Sequence, residues 1–130
     1  MKSMRKIVMA AGALALFAAP ALAAEDVMAG YYGNTAISTG GLGAAEIHTH
    51  YRADHTFDLT GSMMGMSRNY KGTWSIDGTG KLCRIFVGDL PPNTVNPVCS
   101  LMAPHKVGDA WTVTSKDGST RDVTLKAGVQ

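Results

Sequence analysis

A chain of 130 residues with 12 Lys and Arg against 10 Asp and Glu has the size of one small domain with a single core. Lys2, Arg5 and Lys6 sit in an N-terminal leader, so the remainder is close to neutral, about −1, without the clustered cationic face that nucleic-acid binding needs. The leader reads as a secretory signal peptide over residues 1–23. It has a basic start, an apolar run from Ile7 to Ala19 containing Leu14, Leu16 and Phe17, and the small-residue site Ala21-Leu22-Ala23. That run is shorter than the roughly 20 apolar residues a spanning helix needs, and no cysteine adjoins the site for a lipid anchor. Cleavage after Ala23 leaves residues 24–130 as one exported domain, periplasmic or secreted, with no membrane span in the mature chain.

From there the sequence is turn-punctuated and follows the period-two alternation of strands. Glu25 to Tyr32 reads as a loose lead-in. Asn34 to Thr39 is a first strand, ended by the turn Gly40-Gly41-Leu42-Gly43. Ala45 to Arg52 and Thr56 to Ser62 form a hairpin around Ala53-Asp54-His55. If Ile47, Thr49 and Tyr51 face the core with Phe57, Leu59 and Met63, then Tyr51 stands opposite Phe57, His50 opposite Asp58 and His48 opposite Thr60, and the histidines face solvent.

A central hairpin follows. Tyr70, Gly72, Trp74 and Ile76 share one face, and Lys71, Thr73, Ser75 and Asp77 share the other. Asp77-Gly78-Thr79-Gly80 makes the turn. The returning strand from Lys81 to Val87 alternates less cleanly, with Arg84 on the same parity as Leu82 and Phe86. Trp74 removes about 150–250 Å² from water if buried, which marks it as the centre of a small core with Tyr70, Ile76 and Trp111.

Val98 to Met102 is a weaker strand, confined to a sheet edge by Pro97 and Pro104. Ala110 to Thr114 and Thr120 to Leu125 close a last hairpin over Lys116-Asp117-Gly118-Ser119. Up to eight short strands at regular spacing predict an all-β domain, a small antiparallel up-and-down barrel or a sandwich. Cys83 and Cys99 are the only cysteines; in an oxidising compartment they pair as one disulfide bridging the loop Asp89 to Pro97.

Gly33-Asn34-Thr35, the Gly72-Thr73-Trp74 strand, the Lys81-Leu82-Cys83 strand and Cys99 resemble small exported bacterial proteins of a lipocalin-like (calycin-like) kind. The resemblance covers most of the mature chain and implies a barrel rather than an activity. A lipocalin-type carrier of small apolar molecules is one function it suggests.

Chemistry-bearing residues gather in one region. His48, His50 and His55 precede Met63, Met64 and Met66, and imidazole with thioether is a ligand set that suits copper. The metal-ligand candidates are Glu46, His48, His50, His55, Met64 and Met66, for copper or zinc. Met64 lies four positions beyond Thr60, about 13 Å at strand rise, so a mixed His/Met site requires a turn at Gly65 that folds the Met segment back.

Enzyme motifs are absent: there is no Gly-x-Ser-x-Gly elbow, no HExxH and no phosphate-cradling glycine loop before a helix. The expectation is a non-enzymatic binding or interaction protein, monomeric or dimeric, taking a protein or small-molecule ligand. The loop Leu90 to Pro97 and the Met-rich turn are the candidate recognition elements.

Overall fold

Alternation at period two gives each strand one apolar and one polar face, and such strands bury the apolar face only by pairing side by side and curling round a common core. The computed structural model shows this arrangement and describes residues 27–40, 45–114 and 118–130. The expected leader at 1–23, the turn residues Gly41-Leu42-Gly43 and the Lys116-Asp117 part of the last turn lie outside the described residues.

Eight antiparallel strands form one sheet: β1 (Thr35–Gly40), β2 (Glu46–Tyr51), β3 (Thr56–Met63), β4 (Met66–Ile76), β5 (Lys81–Phe86), β6 (Val98–Leu101), β7 (Ala110–Thr114) and β8 (Thr120–Lys126). Their order is β6-β5-β4-β3-β2-β1-β8-β7. This is the circular order of an up-and-down barrel left open between β6 and β7, so the sheet is a curled half-barrel. As expected, β6 is an edge strand.

The register of the first hairpin agrees with the sequence: Tyr51 pairs with Phe57, His50 with Asp58 and His48 with Thr60. Trp74 is 2% exposed at the centre of a core with Tyr51, Phe57, Leu59, Leu82 and Phe86. Tyr70, Ile76 and Trp111 pack against that core from its margin and are only partly buried.

The lead-in is where expectation and structure part. Met28 and Tyr31 are fully buried rather than loose, as members of the core cluster. A single helical turn at residues 27–29 followed by Tyr31 lies over the core face. The Tyr31 ring meets Tyr51 and Trp111 edge-on, and its hydroxyl donates to the carbonyl of Ala103 at 3.3 Å. Burial, reinforced by Tyr51 and Asp109, pushes that hydroxyl above its ordinary pKa. The segment from Met102 to Asp109 thus packs beneath Tyr31, with His105 stacked flat on Trp111 at 3.4 Å. A half-barrel leaves core unprotected at its open side, and these two non-strand segments cover it.

The strand expected to begin at Tyr70 begins at Met66. Met64 (φ 53°) and Gly65 (φ 80°) form a two-residue turn with both residues left-handed, which is the geometry whose twist matches that of the flanking strands. Met63 pairs with Met66 directly across it.

Candidate functional site

The length difference between two neighbouring strands creates the most distinctive surface feature. β4 runs from Met66 to Ile76, but β5 pairs only with Gly72 to Ile76. β5 ends at Phe86, and Val87 donates one last bond to the Lys71 carbonyl at 2.9 Å before the chain departs. The β3–β4 hairpin therefore overhangs the sheet, bounded by β2 on one side and open on the other.

In this notch lies an open trough of about 670 Å³. Asp58, Thr60, Asn69 and Lys71 form its floor, and Val87, Gly88 and Asp89 form the far wall. A smaller hollow of about 330 Å³ continues it past Asp58 and Lys71 towards Arg52 and Thr56.

The far wall is braced twice. Cys83 and Cys99 stand directly opposite each other across β5 and β6 and are joined by the expected disulfide. Asn96 imitates a strand: its side-chain carbonyl accepts from the Phe86 N–H and its amide donates to the Phe86 carbonyl, each at 2.9 Å. The loop carrying Leu90 and Val95 is thus held at its base, while both side chains remain exposed.

The polar floor is organised around Asp58. Its carboxylate takes a 2.7 Å bond from His50 Nδ1 and a second bond from Arg52. Partial burial opposes the charge, but the hydrogen bonds from His50 and Arg52 outweigh it and hold the carboxyl below its usual range. The β1–β2 register, continued by one residue, sets His50 beside Thr35. Thr35 is covered in turn by the C-terminal segment, through bonds to Gly128 and Gln130 at 2.8 and 2.9 Å. In consequence the His50 side chain is 12% exposed, rather than solvent-facing, and its Nε2 is buried without a hydrogen-bond partner among the described residues. Lys71 faces Asp58 across the ladder, but no carboxylate pairs with its ammonium among the described residues.

The structure separates the candidate metal ligands. His48 Nε2 contacts Glu46 at 2.9 Å, and His50 is engaged by Asp58 on the same face. His55 is at the far end of the hairpin, stacked on Trp74 at 4.1 Å. The chain does fold back at Gly65, but Met63 and Met66 share the parity of Leu59 and Tyr70, the face opposite His48 and His50. Met64 is at the tip, 93% exposed. Met63, which the sequence placed towards the core, is also exposed, because the hairpin projects past the packed part of the sheet. Among the described residues, no three His, Cys, Asp or Glu side chains gather as a metal site.

Two features went unread in the sequence. One is the overhang itself, which needed the Met64-Gly65 turn to be recognised. The other is Arg84, whose guanidinium lies over the rings of Phe57 and Phe86 at 5.8 and 5.9 Å, with its Nε buried and unpaired among the described residues. The signal for Arg84 was present in its shared parity with Leu82 and Phe86.

Comparison with known proteins returns no matching family model, no curated protein and no solved structure.

Proposed function

We propose that this is an exported, non-enzymatic binding protein whose recognition surface is the trough between the overhanging β3–β4 hairpin and the base of the β5–β6 loop. The observation that carries the reading is the trough itself: a concave, open surface between a projecting hairpin and a doubly braced loop. Loops held on a rigid β scaffold are the usual carriers of recognition. The exposed Met63, Met64 and Met66 at the tip add flexible, polarizable apolar surface of the kind that adapts to a protein partner. The leader pattern and the disulfide support export to the periplasm or beyond.

A hydrolytic reading gains little from the His50–Asp58 pair. A general base must present its second nitrogen to a substrate, and His50 Nε2 is enclosed. Copper or zinc binding at His48 and Glu46 is the alternative reading, resting on their single 2.9 Å contact.

The test is site-specific photo-crosslinking in the full chain, exported by its own host, with the probe residue placed at Val87 in the trough and, as control, at Thr112 on β7. A discrete adduct at Val87 that is absent at Thr112 and weakened by Pro91→Ala with Pro92→Ala is the expected result. Equal labelling at both positions, or none, overturns the proposal.

A further inference from the structure

Antiparallel pairing makes alternate residues point their backbone N–H and C=O groups to opposite sides of a strand. Val87 bonds to Lys71 on the β5 side of β4, so by the same alternation Ser67 and Asn69 also direct their backbone groups to that side. β5 has already left the sheet there, and neither residue makes a backbone hydrogen bond in that direction among the described residues. Ser67, Arg68 and Asn69 are all exposed. An exposed edge of this kind is a template for another strand, and the trough lies alongside it.

One charge beside the edge is unpaired: Arg68 makes no ion pair or hydrogen bond through its side chain among the described residues, whereas Lys71, on the opposite face, shares the trough with Asp58 and Asp89. The apolar side chains of Met66 and Tyr70 flank Arg68 on the same face.

We infer that this edge binds an extended segment of a partner protein by strand addition, and that the segment carries acidic residues among apolar ones. The inference rests on the trough being the recognition surface and names how it recognises. Backbone groups of Ser67 and Asn69 supply the pairing, and on the face of Met66, Arg68 and Tyr70 two apolar side chains of the incoming strand flank a carboxylate that meets Arg68. A second copy of this chain fits less well. The two-fold register that pairs Ser67 with Asn69 sets the two copies' Arg68 side chains next to each other, and like charges directly opposed across a ladder are destabilising.

The probe is a short capped peptide, Val-Thr-Glu-Thr-Val, whose two valines and glutamate share one face, titrated into the oxidised protein and followed by amide NMR and hydrogen exchange. The expected result is saturable binding that protects the amides of Ser67 and Asn69. Methylating alternate peptide nitrogens weakens binding by about tenfold or more, as does Ser67→Pro, which removes an N–H the fold does not use. Arg68→Glu, at an exposed side chain without partners among the described residues, lowers affinity while leaving the melting temperature unchanged, and so guards against a folding defect in the proline variant.

Binding indifferent to N-methylation, protection elsewhere, or no saturable change overturns strand addition. A dimer in light scattering that Ser67→Pro dissolves overturns the partner proposal in favour of self-association. A Val87 crosslink that persists in Ser67→Pro, with no peptide binding, leaves the trough as a recognition surface and removes only the mode. Loss of both the crosslink and the peptide signal in the unmodified chain removes both.

Discussion

Gly72 and Gly61 sit on adjacent strands, and the same substitution at the two sites isolates one packing constraint. A Cβ built on Gly72 meets the Ile85 carbonyl oxygen at 2.0 Å, the Ile85 carbonyl carbon at 2.8 Å and Phe86 Cα at 2.9 Å. All three are backbone atoms of β5, and β5 is anchored at this end by the Asn96 bonds to Phe86 and farther along by the disulfide. No side chain can rotate aside, so the strand must move. Overpacking of this kind costs about 1–3 kcal/mol, and the backbone character of the clash puts Gly72→Ala at about 3 kcal/mol. For a domain of this size that is roughly 12–24 °C in melting temperature. At Gly61 a Cβ meets nothing within 4 Å among the described residues. What remains there is the smaller conformational freedom of the unfolded chain, which stabilises by about 0.4–1 kcal/mol. Urea and thermal denaturation of the oxidised protein measure both variants. A Gly72→Ala variant within 1 kcal/mol of the parent, or a Gly61→Ala variant equally destabilised, refutes the close approach of β4 and β5.

Asn96→Ala leaves the Phe86 N–H and carbonyl unpaired at a partly buried site and is expected to cost about 1–3 kcal/mol, while Asn96→Asp keeps only the acceptor and falls between; urea midpoints rank the three. Folding lowers the pKa of Asp58, so its stabilising contribution is complete above the unfolded carboxyl value near 3.9 and is lost as the pH falls through the folded value. Asp54, Asp77 and Asp109, lowered chiefly by hydrogen bonds from Thr56, Thr79 and the Lys106 backbone respectively, act in the same direction. Asp58→Asn is expected to flatten the stability profile between about pH 5 and pH 2, and an unchanged slope would show that the His50 and Arg52 bonds do not bear on stability. If His48 and Glu46 hold zinc or copper, native mass spectrometry shows a stoichiometric adduct that His48→Ala abolishes and Met64→Ser with Met66→Ser leaves intact. The absence of any adduct removes the metal reading.

Much of the sheet is written locally. The pairing of Tyr51 with Phe57 follows from alternation plus the length of the Ala53-Asp54-His55 turn, because a one-residue slip would turn every apolar side chain of the hairpin outward. The burial of Trp74 and the pairing of Cys83 with Cys99 were equally legible, the first from one apolar face, the second from the count of cysteines together with the expected oxidising compartment. The fate of residues 27–32 was not. Nothing in their own pattern says that Tyr31 will roof the open side of a half-barrel, since that depends on Met102 to Asp109 arriving beneath it from far along the chain.

The same division governs the candidate site. Sequence placed His48 and His50 on one face and supplied the methionines nearby, but only the register across Met63 and Met66 put the thioethers on the opposite face. The overhang of β4 arises from where β5 stops, and β5 stops where Asn96 closes over Phe86, ten residues farther along the chain. Alternation is a property of consecutive residues and is therefore readable from the sequence. Where one strand ends relative to its neighbour, and which distant segment covers a face, are decided by packing between segments far apart in the chain, and those decisions made the trough.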